Sequence, residues 1–141
     1  MFLKKKTLFR LAALMLIVVL CLGLSAPIAQ ARASNYIAAY GAYMNADGSG
    51  KVSVWYDVTG TGMMEEIGST SIVIYENGSI VKTFYSSSTP SMMTKNKAIH
   101  GGSVSYNGVA GRSYYAIVYV WAAKLGDGDT RSKTTASIIA K

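Results

Sequence analysis

The sequence predicts an all-β fold, a single β-sandwich of about seven strands, and three observations predict it. From Ser34 onward, apolar and polar residues alternate with a period of two over successive short segments. Clusters of Asn, Asp, Gly and Pro part these segments at short intervals. No segment beyond residue 33 sustains a helical period, and many short strands between turn signals are the profile of a sandwich.

The chain before Ser34 reads differently. Lys4, Lys5, Lys6 and Arg10 precede an apolar run from Leu11 to Leu24, and Pro27 ends it. Ala29-Gln30-Ala31 and Ala31-Arg32-Ala33 both offer the small-x-small spacing of a cleavage site. The run is shorter than the roughly 18 residues of a spanning helix. The expectation is a secretory signal peptide over 1–33, cut after Ala31 or Ala33, and one domain over 34–141. Such a product is secreted and makes no stable membrane insertion. No sortase-type motif or hydrophobic tail precedes Lys141, so release from the cell is expected.

Removing the leader changes the charge. Lys4, Lys5, Lys6, Arg10 and Arg32 all fall within it, so of 14 basic residues 9 remain against 7 acidic ones, about +2 in place of +7. The remaining basic residues are scattered, whereas nucleic-acid binding needs a clustered basic face, so that class is excluded. The single cysteine, Cys21, sits behind Leu20, where a lipoprotein has a small residue, and its removal leaves no disulfide.

Along the domain, Ser34 to Met44 favours an edge strand over a helix, because Gly41 and the tyrosines outweigh the alanines. Asn45, Asp47, Ser49 and Gly50 match the opening of a calcium loop. Tyr56 stands where its bidentate Glu belongs, so turn chemistry is the reading. In Lys51 to Val58, the residues Val52, Val54, Tyr56 and Val58 face the core and Trp55 faces outward. Thr59 to Gly68 reads as a Gly-rich loop, and Glu65 and Glu66 are expected on opposite faces, a poor geometry for paired-carboxyl catalysis.

Asn77-Gly78 joins two strands, Ser69 to Glu76 and Ser79 to Tyr85, in a type I′ turn. The turn predicts Glu76 opposite Ser79, Tyr75 opposite Ile80 and Ile74 opposite Val81. Ser86 to Asn96 is a polar connection carrying Met92 and Met93, and Lys97 to Tyr106 is extended. His100 is the lone histidine and reads as structural or surface. Tyr114 to Ala122 is apolar on both faces, which predicts a central strand. A turn at Gly126 to Thr130 leads to a last strand, Arg131 to Ala140. Asp127 and Asp129 there, like Asp47 earlier, form at most a weak cation site.

Gly111-Arg-Ser-Tyr114, followed by Ala116, Val118 and Val120, resembles the corner before the long F strand of fibronectin type III domains. The resemblance implies an immunoglobulin-like or fibronectin type III-like sandwich in which the Tyr114 hydroxyl bonds back to upstream backbone. It departs from the family at strand B, where Tyr56 takes the inward place of the family's tryptophan. Residues 34–141 also resemble a group of short secreted Gram-positive bacterial proteins of unknown function. That likeness lies in Gly60-Thr-Gly-Met-Met-Glu-Glu-Ile-Gly68, Thr89-Pro-Ser-Met92, Asn96-Lys97 with His100, Gly108-Val-Ala-Gly-Arg-Ser-Tyr114 and Asp129-Thr-Arg131. It implies a compartment and a fold, and no activity.

With no catalytic constellation, no cofactor motif and 10 tyrosines, the expected function is a non-enzymatic extracellular domain that binds a protein or cell-surface glycan. Its candidate partner surface is Trp55, Met63, Met64, Glu65, Glu66, Met92 and Met93. The alternatives are a small secreted hydrolase, with Glu65 or Glu66 brought to His100, Asp127 or Arg112, and a secreted toxin or signalling protein.

Overall fold

One strand, β2 (Lys51–Glu76), is shared by both layers of the domain, and every other strand except two pairs directly with it. The structure, a computed structural model, describes residues 33–141. The expected signal peptide, save for Ala33, lies outside them. Along one side of β2 run β1 (Ile37–Gly48), paired as far as Gly60, and then β5 (Ser113–Lys124), paired from Glu66 to Glu76. Along the other side run β4 (Met93–Asn107), paired down to Gly68, and then β3 (Ser79–Tyr85), paired from Ser71. The two remaining strands, β6 (Asp127–Thr134) and β7 (Ile138–Ile139), join β5. One layer is therefore β1, the first half of β2, and β4. The other is β3, the second half of β2, β5 and β6.

The inner faces of the two layers close on one core. Val52, Val54, Tyr56 and Val58 enter it from the first layer, and Ile72, Ile74, Tyr114, Ala116, Val118, Val120 and Ala122 from the second. Each buried Val or Ile contributes roughly 1.5 to 3 kcal/mol, so the alternation read in the sequence is the main source of stability. β5 lies between β2 and β6, a central strand as its two apolar faces predict. Tyr56 stands inward, its hydroxyl donates to the Met92 carbonyl at 2.9 Å, and burial pushes its phenol up to about 12.

Several expectations are corrected. Thr59 to Gly68 is not a loop: β2 runs through it, and pairing lapses only between Thr59 and Met64 on the β4 side and between Gly60 and Glu66 on the other, where β1 gives way to β5. Met64 and Ile67 are buried and anchor the segment, and the Thr61 amide and hydroxyl donate to the Tyr36 and Asn35 carbonyls. At Gly68, φ is +151°, and a Cβ there would stand 2.2 Å from the Met92 carbonyl oxygen, so this bend admits no side chain. In the hairpin, Asn77 and Gly78 have the positive φ values of a type I′ turn, 48° and 84°, and the first two pairs are as expected. A register shift then places Ile74 opposite Lys82 instead of Val81. β1 extends to Gly48, and the last strand divides into β6 and β7.

The fibronectin-type corner is present. The Tyr114 hydroxyl accepts from the Val109 amide at 2.8 Å and donates to Glu76 at 2.7 Å, and Arg112 pairs with the same carboxylate. A Cβ at Gly108 would stand 2.7 Å from the Tyr114 ring, so the corner is glycine-packed. A second polar latch ties the start of the domain to β6. Asp129 accepts from Ser34 Oγ at 2.6 Å and from the Asn35 amide at 2.8 Å.

Three outcomes follow. Gly68→Ala should lower stability by about 3 kcal/mol, from collision with backbone at a left-handed φ, read by urea denaturation. Tyr114→Phe should cost about 1 to 2 kcal/mol, because it leaves the Val109 amide unpaired and Glu76 held by Arg112 alone. Hydrogen bonding from Arg112 and Tyr114 holds the Glu76 carboxyl below its ordinary 4.5, and the Ser34 hydroxyl and the Asn35 and Tyr36 amides hold Asp129 below 3.8. Unfolding raises both values, so their stabilisation is complete above about pH 4.5 and is lost as pH falls through the lower folded values. The denaturation midpoint of Glu76→Gln should therefore fall less steeply between about pH 5 and pH 3 than that of the unaltered protein.

Candidate functional site

Alternation along β5 places Tyr115, Ile117, Tyr119 and Trp121 opposite in direction to the buried Tyr114, Ala116, Val118, Val120 and Ala122. They stand on the outer face of the four-stranded layer. Direct register extends that face sideways. Tyr115 meets Tyr75, which meets Ile80. Ile117 lies beside Val73 and then Thr83. Tyr119 lies beside Ser71 and then Tyr85. On the β6 side the rows of Ile117, Tyr119 and Trp121 end in Thr134, Ser132 and Thr130. The Tyr75 and Tyr115 rings stack with centroids 4.7 Å apart and planes 2° from parallel. Among the described residues nothing covers this face: Ile80 is 61% exposed, Tyr85 56% and Tyr119 36%.

At the bend end of the face the surface is concave. Gly68 lies between Trp121 of β5 and Met93 of β4 in register. A lobe of about 410 Å³ opens there, lined by Trp121, Met93, Pro90, Glu66, Lys95, Thr70, Ser86, Ser87 and Thr94. A second lobe, of about 430 Å³, is lined by Trp121 with Glu65, Glu66, Lys95, Asn96, Ala123, Gly126 and Asp127. Glu66, Lys95 and Trp121 line both, so the lobes adjoin at these residues as one groove. The Trp121 ring has a fixed seat. A Cβ on Gly128 would stand 2.5 Å from its Cζ2, so the ring lies across a backbone that only glycine leaves bare.

The charges of the groove are unevenly committed. Lys95 Nζ is 3.8 Å from Glu66, an exposed pair. Asp127 accepts from the Tyr36 hydroxyl at 3.0 Å and from the Gly128 amide at 2.9 Å, and this bond holds the Tyr36 phenol above its ordinary value. Glu65 makes no hydrogen bond or ion pair with any described residue. Both glutamates face one groove, contrary to the expectation of opposite faces. Asn96, opposite them on β4, has φ of 53°, and this left-handed residue breaks the regular pleat.

The sequence-predicted surface residues separate. Glu65, Glu66 and Met93 line the groove. Met63 is 61% exposed at the bend. Trp55, 42% exposed, stacks on Tyr43 at 6.2 Å on the outer face of the other layer. Met64 and Met92 are buried at 2% and 1% and offer a partner nothing; they fill the core behind the bend, where flexible methionines suit an irregular space. The aspartate turns are engaged within the fold. Asp129 and Asp127 hold Ser34 to Tyr36, Asp47 accepts from Ser53, and no group of three or more His, Cys, Asp or Glu among the described residues is placed to hold a metal. His100 contacts the Ser91 carbonyl and the Tyr56 hydroxyl, and Arg112 pairs with Glu76, so neither reaches the groove; Asp127 does.

No family model matches the chain, and no curated protein is significantly similar to it. Among solved structures, the chain is similar to the CARDB domain of PF1109 from Pyrococcus furiosus, at 13% identity over 69% of this chain and 94% of that one, with a TM-score of 0.34. A superposition that loose bears on no residue of the groove.

The seat of Trp121 is testable by fluorescence. In a Trp55→Phe background, Gly128→Ala should lift the ring from its seat and shift its emission to longer wavelength. An unchanged maximum would mean that the ring does not rest on Gly128.

Proposed function

We propose that this protein is a non-enzymatic, exported interaction domain that binds a partner at or outside the cell surface through the outer face of its four-stranded layer. The observation that carries the reading is the contiguous aromatic face of Tyr75, Tyr85, Tyr115, Tyr119 and Trp121, in which Tyr85 and Tyr119 are exposed and the other three half-buried. Large exposed apolar patches on small domains mark binding sites, and tyrosine and tryptophan give much contact area for little lost side-chain entropy. Stacking of Tyr75 on Tyr115 pre-organises part of that face, which lowers the ordering cost of binding. Export rests on the layout of the first 33 residues. A hydrolase would need Glu65 or Glu66 to work with a second polarised group. Of the three residues first considered for that role, His100 and Arg112 are held elsewhere.

The test is retention of purified protein on intact cell walls, extracellular matrix and co-exported proteins. A Tyr85→Ser, Tyr119→Ser variant with an unchanged denaturation midpoint should lose at least about tenfold in retention, as expected for central aromatic anchors. A stable monomer retained on none of these surfaces would overturn the proposal.

A further inference from the structure

The groove beside Trp121 has a chemistry narrower than that of the face it adjoins. Its first lobe carries one charge of each sign, Glu66 and Lys95, already paired, and is otherwise lined by the hydroxyl-bearing residues Thr70, Ser86, Ser87 and Thr94 beside Trp121, Pro90 and Met93. That lining suits a neutral ring with one apolar face and polar edges. The second lobe holds three carboxylates, Glu65, Glu66 and Asp127, against the single cation Lys95. After the Lys95–Glu66 pair and the bonds to Asp127 are taken out, Glu65 remains an uncommitted anion beside the ring of Trp121. An ammonium group in this lobe has a free carboxylate and an indole among its lining, the pairing of charge and aromatic ring that favours cations. Each lobe falls within the roughly 300 to 1,000 Å³ of small-molecule sites.

We infer that the groove is a binding site for an amino-sugar oligosaccharide with free amines. A sugar ring lies against Trp121 with its hydroxyls toward Thr70, Ser86, Ser87 and Thr94, and an ammonium is held by Glu65. The two adjoining lobes that share one tryptophan match the two halves of such a ligand, neutral polyol and cation. The inference rests on the interaction-domain reading only in taking this end of the sheet face as a ligand surface.

The experiment is calorimetric titration of the full secreted protein with a glucosamine hexamer, its fully N-acetylated counterpart and a hexalysine peptide. The glucosamine hexamer should bind, with affinity falling as salt rises. N-acetylation, which removes the charge and keeps the rings, should weaken binding by at least about tenfold. Glu65→Gln should weaken it roughly three- to tenfold, and Trp121→Ala by at least about tenfold, both with unchanged denaturation midpoints. Equal binding of the acetylated hexamer overturns the charged half of the site. Tighter binding of hexalysine, unaffected by Trp121→Ala, assigns the groove to basic peptides and overturns the sugar. No binding of the glucosamine hexamer overturns the inference outright. Retention on cell surfaces that depends on Tyr85 and Tyr119 but not on Trp121 leaves the broader reading standing while this one falls.

Discussion

Gly68 is where the two layers become one structure. Over Glu66 to Gly68, β2 is paired with β4 on one side and β5 on the other, so three strands converge on a single short segment. The chain turns there without leaving the sheet, and the backbone of Met92 and Met93 approaches so closely that a methyl group has no room. The residues that Gly68 pairs on either side, Met93 and Trp121, both line the groove at this corner. A larger residue here would force the Met92–Met93 backbone away and disturb the corner on which the groove is built.

The polar groups divide into those the fold consumes and those it leaves available. Glu76 is consumed by Tyr114 and Arg112, and it ties the hairpin end of β2 to the corner before β5. Asp127 and Asp129 are consumed by Ser34, Asn35 and Tyr36, which fasten the start of the domain to β6. In a chain whose described part carries no cysteine, these distant pairings close long loops that a disulfide would otherwise close. Glu65 stands apart from them, exposed and uncommitted beside an aromatic ring. The face above it, with Tyr75 stacked on Tyr115, is likewise surface that the core does not use.

The layers, the inward residues and the tyrosine corner were legible because each rests on local chemistry: a two-residue period at Val52 to Val58, Asn77-Gly78, and Gly111 three residues before Tyr114. The bend was not legible, because its glycines signal a loop when read one residue at a time. What keeps it extended is the burial of Met64 and Ile67 and the carbonyls of Asn35 and Tyr36, all supplied from elsewhere. Met64 and Met92 were misplaced for the same reason, since a methionine in a polar stretch gives no local sign of facing inward. The period did put Trp121 on the outer side of β5. Its role was missed because the sequence cannot say whether a second face is covered.

By itself, then, the sequence determined the extended segments outside the bend, their apolar faces, the Asn77-Gly78 turn and the hydroxyl that closes a corner, since these depend on neighbours within a few positions. The tertiary structure alone decided that β2 serves both layers, that Glu65 and Glu66 share a groove, and that Trp121 lines two open lobes. Those facts depend on contacts among β2, β4, β5 and β6, far apart in the chain. They meet because Gly68 lets an unbroken strand turn a corner where any side chain would strike the Met92 carbonyl.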